Sequence, residues 1–189
     1  MNPTDPIHSS TASMYFVAVV CPDEINQKVL SFKHWMRDQF GCTVALKSPA
    51  HITLIPPFWV KQEEEAKILA ALHSFQQRKE QINIQLNGFS HFSNRVLFVQ
   101  VEQNASLALL KSDVELHFTS VFPEIIQKDN RPFHPHVTIA NRDMSPAAFI
   151  QSWGHFSKEK YHATFPVSSF SLLKLVEGKW QVIASCNFQ

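Results

Sequence analysis

The feature that most constrains this chain is a near-repeat: His51-Ile52-Thr53-Leu54 returns 85 residues later as His136-Val137-Thr138-Ile139. Both copies sit in runs rich in β-branched residues and bounded by prolines, which predicts strands. Successive strand side chains point to opposite faces, so His51 shares a face with Thr53, and His136 with Thr138. Ile52 with Leu54, and Val137 with Ile139, occupy the other faces and suit a core. Each strand therefore buries one side and shows an imidazole and a hydroxyl on the other. The surroundings repeat as well: each copy reads strand, helix, His-x-Thr strand, helix, strand. Gly88-Phe89-Ser90 is matched by Ser169-Phe170-Ser171 after each second helix. A duplicated unit packed about a pseudo-twofold brings its two special strands together at one cleft.

Taken in order, residues 1–12 read as a flexible tail and 13–189 as a single two-lobed domain. Tyr15–Cys21 is a continuous apolar run of the fully buried strand type. Asp23 opens a helix with Ile25, Val29, Phe32, Met36 and Phe40 at helical spacing, and Gly41 stops it. The first His-x-Thr strand ends, or becomes an edge, at Pro56-Pro57. A second helix is expected over Lys61–Lys79, with Glu63–Glu65 in its first turn. Strands over Ile82–Phe92 and Arg95–Glu102 turn at Ser93-Asn94. A helix from Leu107 to about Phe122 precedes the second His-x-Thr strand. Ser145-Pro146 caps a short helix to Trp153. Two closing strands, Ala163–Leu175 and Trp180–Asn187, hinge at Glu177-Gly178.

Composition narrows the function classes. A formal charge of +1, from seventeen basic and sixteen acidic residues, does not suit a protein that grips long nucleic acid through phosphates, and no DNA duplex is expected as partner. A nucleotide or RNA end needs only local positive groups. Cys21, Cys42 and Cys186 are odd in number and fall in no close-spaced ligand pattern, which suits free thiols in a reducing compartment. No signal-like N-terminus and no transmembrane-length run is present, so no membrane association is expected, and a cytoplasmic monomer is the expectation.

The chemistry suited to two facing histidines is displacement at phosphorus. One neutral imidazole takes the proton of the attacking oxygen while the other, protonated, gives one to the leaving oxygen. In-line attack sets the two oxygens on opposite sides of phosphorus, so acid and base should come from opposite walls. Threonine hydroxyls two places on can hydrogen-bond the non-bridging oxygens.

His51-Ile52-Thr53-Leu54 and Phe133-His134-Pro135-His136-Val137-Thr138-Ile139-Ala140 resemble the paired His-x-Thr/Ser-x signatures of the two-histidine phosphoesterase superfamily, most of all its bacterial 2′-5′ RNA ligase-like members. The resemblance covers about residues 13–188. It implies an α+β bilobal fold in which two antiparallel sheets line a central cleft, with helices outside. It implies His51 and His136 as the acid–base pair, Thr53 and Thr138 as phosphate ligands, and no cofactor. The implied reaction is metal-independent opening of 2′,3′-cyclic phosphates of nucleotides or RNA termini. Reversible ATP-independent 2′-5′ RNA ligation at the same site is the alternative within the enzyme class, and a non-catalytic RNA-binding module the alternative outside it. His134 shares the face of His136 and raises a zinc reading with His51, but Pro49 stands at the matching place and no nearby carboxylate completes a ligand set. It is expected instead to support the site or touch substrate. Lys47 and Arg131, four or five residues before a histidine, are candidate phosphate neighbours. Phe58, Trp59, Phe89, Phe92 and Phe133 are candidates to stack a base.

Overall fold

The computed structural model describes residues 11–75, 81–128 and 130–188. β1 (Ala12–Val20) is buried on both faces: Tyr15, Val17 and Val19 point one way and Phe16 and Ala18 the other, all at most 3% exposed. It begins inside the span read as a tail, for Ala12 pairs with Lys61; residues 1–10 lie outside the described ones. α1 (Asp23–Phe40) opens on Asp23 and Glu24, which complement the helix dipole. Gly41 ends it in the left-handed region at φ 70°, where a Cβ would be strained. Its buried positions are Ile25, Val29, Lys33 and Met36, so a lysine occupies the core stripe while Phe32 and Phe40 are half-buried at its margins.

β2 (His51–Lys61) runs straight past the prolines. Tyr15 pairs with Phe58 and Val17 with Ile55, so Pro56 and Pro57 together face the single residue Phe16. A bulge on an edge strand tolerates two residues that cannot donate to a ladder. α2 (Glu65–Ser74) is shorter than expected. Lys61 belongs to β2, Gln62–Glu64 form a 3-10 turn, Phe75 takes an extended backbone, and residues 76–80 of the expected helix lie outside the described residues. β3 (Ile82–Phe92) and β4 (Val96–Val101) form the expected hairpin. α3 (Ala105–Val121) is capped by Asn104, whose Oδ1 accepts from the Leu107 N–H at 2.9 Å. After β5 (His136–Ala140), α4 (Pro146–Phe156) is capped by Ser145 as expected, the Ala148 N–H donating to its Oγ at 3.1 Å.

The expected single strand Ala163–Leu175 is in fact two, β6 (His162–Val167) and β7 (Ser169–Val176), and they belong to different sheets. Sheet one has the order β2-β1-β7-β8, with β8 (Lys179–Asn187) at its edge; sheet two has the order β5-β4-β3-β6. Every pairing is antiparallel. β6 is an edge strand, which suits Pro166, whereas β7 is an inner strand and carries the continuous apolar run that such a position needs. The chain crosses between sheets at Ser168.

Each His-x-Thr strand thus lies at an edge, beside the first strand of its own repeat: β2 on β1, β5 on β4. The helices are traded, α1 packing against β5 and α3 against β2, and β2 approaches β5. One continuous core joins both sheets to the helices outside them. The opposite faces of the sheets line the cleft. Cys21, Cys42 and Cys186 are free and buried, and no described helix is long and apolar enough to cross a membrane.

Candidate active site

Strand alternation sets out the site. On β2, Ile52 and Leu54 are 0% and 1% exposed while His51 and Thr53 are half-buried on the other face. On β5, Val137 and Ile139 are fully buried while His136 and Thr138 are half-buried. The two imidazoles are held in the same way. His51 Nδ1 bonds the Pro49 carbonyl at 2.8 Å, and His136 Nδ1 bonds the His134 carbonyl at 2.8 Å. A carbonyl only accepts, so both protons sit on Nδ1 and both Nε2 atoms are left with a lone pair. Aromatic rings back each one: Phe16 lies 4.7 Å from the His51 ring, and Phe92 and Phe98 lie 4.8 and 5.0 Å from that of His136.

Both histidines are weakened as bases. Burial is the chief cause and lowers the His51 pKa to about 4, helped by the charges of Lys33 and His136 and opposed by the Pro49 carbonyl. Burial likewise lowers the His136 pKa, with the charge of His134 adding to it and the His134 carbonyl opposing it. The two strands that carry His51 and His136 are in contact.

The segment before His51 is tied to its surroundings at three points. The Lys33 ammonium donates to the Ser48 carbonyl at 2.9 Å, the Ala50 N–H to Asn26 Oδ1 at 2.7 Å, and the Cys21 N–H to the Ala50 carbonyl at 2.9 Å. Lys33 is only 3% exposed, and burial lowers its pKa to about 8. Burial pushes the neighbouring Cys21 thiol up to about 12, which keeps it protonated and inert. A further tie joins the lobes: the Asp143 carboxylate, just after β5, accepts from the Thr43 and Val44 N–H groups at 2.6 and 2.9 Å, just before β2.

The candidates named from sequence divide. His51, Thr53, His136 and Thr138 lie half-buried on the faces of β2 and β5 turned away from the core, and Phe92 touches the His136 ring. His134 is exposed and contributes its carbonyl to His136. Lys47, on the 3-10 turn Val44–Lys47, and Arg131 are exposed. Phe58 is not on those faces: it is 7% exposed and stacked on Tyr15 at 6.4 Å in the core. It pairs with Tyr15, whose side chain lies on the core face of β1, and so shares that face. Phe89 is packed among Phe32, Phe156 and Tyr161, and Phe133 packs against the core. Trp59 is 57% exposed, well along β2 from His51. Sequence reasoning missed Phe16, Phe98, Asn26 and Lys33. A signal existed for Lys33 alone, four residues after Val29 and three before Met36 in the stripe.

Comparison with known proteins gives a consistent result. The 2′-5′ RNA ligase superfamily profile matches residues 22–179. A Geobacillus kaustophilus protein bearing the name phosphoesterase is 27% identical over 159 residues, 82% of this chain and 87% of the relative. A similarly named Bacillus mycoides protein is 28% identical over 137 residues, 71% of this chain and 76% of the relative. The fold superposes on E. coli LigT complexed with 3′-AMP with a TM-score of 0.66 at 20% identity, covering 95% of this chain and 99% of that one. A Thermus thermophilus structure gives 0.63 at 20% identity, covering 93% and 97%. With the profile spanning most of its length and both histidine motifs, the chain belongs to the 2′-5′ RNA ligase superfamily, within the two-histidine phosphoesterases.

Proposed function

We propose that this chain is a metal-independent phosphodiesterase that opens 2′,3′-cyclic phosphates of nucleotides or RNA ends. The observation that supports the reading is the matched pair of Nδ1–carbonyl bonds, which leaves a lone pair on Nε2 of each histidine on two strands that approach one another. In the reaction, a water oxygen forms a bond to phosphorus and passes its proton to the neutral imidazole. The bond from phosphorus to one ribose oxygen breaks, and that oxygen takes a proton from the other histidine in its imidazolium form. The product is a 2′- or 3′-monophosphate. Thr53 and Thr138 donate to the non-bridging oxygens, where negative charge grows in the transition state. The anionic phosphate raises the affinity of both imidazoles for protons, which is how a histidine neutral in the free protein becomes an acid in the complex. Carried in the opposite direction with a nucleoside hydroxyl as nucleophile, the same acid and base would form a linkage, and the family name favours keeping 2′-5′ ligation as the second reading.

The test is turnover of a panel of 2′,3′-cyclic nucleotides, cyclic-phosphate-ended RNA and 2′-5′-linked dinucleotides, with product isomers resolved, before and after exhaustive chelation. The expected result is ring opening to one isomer, within about twofold of the same rate after chelation. Activity that collapses and returns with zinc, or binding without turnover across the panel, defeats the proposal.

A further inference from the structure

The two walls of the cleft differ in chemistry. Beside His51, sheet one presents Phe16, Ala18 and Leu173 packed together, with Trp180 edge-on to Phe16 at 4.6 Å. Beside His136, sheet two is aromatic next to the imidazole and polar beyond it. Strand pairing sets Phe98 opposite Thr138 and Gln100 opposite His136, so these four side chains share the cleft face. A cavity of about 190 Å³ opens there, lined by Phe92, Phe98, Gln100, Glu102, Gln103 and His134 among others.

Three properties of the cavity define what it would hold. Its aromatic side is unsaturated: Phe92 packs on Phe98 at 4.4 Å yet remains 37% exposed, a flat apolar face open to a ligand. Among the described residues, neither lysine nor arginine lines it, so it is not built for a second phosphate. Its polar side holds Gln100 and Gln103, which both donate and accept, and Glu102, which only accepts. Glu102 is fixed by the Asn87 amide, which donates to Oε1 and leaves Oε2 able to accept from a ligand. A flat group that stacks on one side and donates hydrogen bonds on the other is a nucleobase with an amino or ring N–H edge. Uracil meets the carboxylate badly, because its single ring N–H is flanked by two carbonyl oxygens.

We propose that this cavity is the nucleobase subsite of the enzyme, stacking the base on Phe92 and selecting adenine or guanine over uracil through Glu102. The proposal rests on the cyclic-phosphate reading above and adds to it which base is accepted and on which wall it lies. A carboxylate left without a donor by the wrong base is the physical basis of the selection.

The experiment measures kcat/KM for adenosine, guanosine and uridine 2′,3′-cyclic phosphates, free and at the end of a short RNA, in the wild type and in Glu102→Gln. The wild type should favour adenosine and guanosine over uridine by about tenfold, the scale of one hydrogen bond to a charged group. Glutamine keeps the shape and still accepts from Asn87 but can donate to a uracil carbonyl. Glu102→Gln should therefore bring the three bases within about threefold of one another. A preference seen on RNA ends alone assigns the cavity to the terminal nucleotide of a chain, and one seen on both assigns it to the nucleotide itself. Equal kcat/KM for all bases, or a preference that Glu102→Gln leaves intact, overturns the subsite while leaving the phosphodiesterase reading standing. Should nothing be turned over, the reading of the reaction fails. The subsite is then decided by calorimetry with adenosine and uridine 3′-monophosphates: tighter adenosine binding that is lost in Glu102→Gln sustains it, and equal affinities overturn it.

Discussion

The two His-x-Thr strands present the same atoms from unlike settings. Ahead of His51, residues 48–50 are bonded to a lysine and an asparagine of α1 and to the backbone of Cys21. Ahead of His136, the chain arrives through exposed Arg131, Pro132 and His134, and among the described residues no helix side chain reaches Phe133–Pro135 in that way. His51 is packed on the buried Phe16, whereas His136 is packed on Phe92, which is open to the cleft. The first strand is thus preceded by a segment bonded to α1, and the second lies beside a cavity with polar side chains in its lining.

The strongest way to break this comparison is to remove the histidines in turn. His51→Ala and His136→Ala should each lower kcat by roughly 10²–10⁴-fold, the usual range for one general acid or base. Steady-state rates should fall far more than affinity, because the threonines still hold the phosphate. If either variant keeps its rate, the two strands are equivalent only by descent. Next come the hydroxyls. Thr53→Val and Thr138→Val preserve β-branching and should cost on the order of 10²-fold, the loss of one donor to a transition-state oxyanion. Full activity in both would take the phosphate away from these strands.

Lys33→Met tests the segment before His51 by itself. It leaves the Ser48 carbonyl without its donor and removes a positive charge that weighs on His51. A drop of about tenfold in kcat is expected, with the limb of the pH–rate profile that belongs to His51 moving to higher pH. A changed melting temperature with an unmoved limb would reduce Lys33 to a packing residue.

The pH profile of the wild type sharpens the contrast further. Both free-enzyme pKa values are depressed below the usual 6.5, so kcat/KM should peak on the acid side of that value. A maximum above pH 7 would contradict the burial of the two rings. The smallest effect is on stability. With a folded pKa of about 4, His51 binds fewer protons when native than when unfolded. Its contribution is therefore present above about pH 6.5 and is lost as pH falls toward 4. The melting temperature should decline over that window in the wild type and less steeply in His51→Gln.

Much of this was legible in the sequence because period-two alternation and flanking prolines leave little freedom to a strand such as His51–Leu54. Phe58 is misplaced among the candidates because two register shifts interrupt the alternation between His51 and it. Where alternation vanishes, so does the reading. In Tyr15–Val20 every position is apolar because both faces are covered, and nothing marks Phe16 as the residue behind His51. Lys33 was hidden by its charge, although its spacing is that of a core residue. The crossing at Ser168 escapes this reading although Pro166, Ser168 and Ser169 mark it, because the apolar residues on either side read as one continuous strand. Which sheet a strand joins is decided by pairing partners more than a hundred positions away in some cases, as with β1 and β7. Periodicity within a window of a dozen residues carries no information about that choice.

That crossing has a consequence for how the molecule comes into being. β1 is an inner strand, and one of its two neighbours is β7. During synthesis the first fifty residues of sheet one must wait, with one edge of β1 open, until the segment Ser169–Val176 leaves the ribosome. Sheet two has all its strands once β6 has emerged, before β7 follows. Sheet one, begun first, is therefore the last to be completed. A premature stop before Ser169 would leave a hydrophobic strand with an open edge, a species suited to aggregation and proteolysis rather than to half the activity.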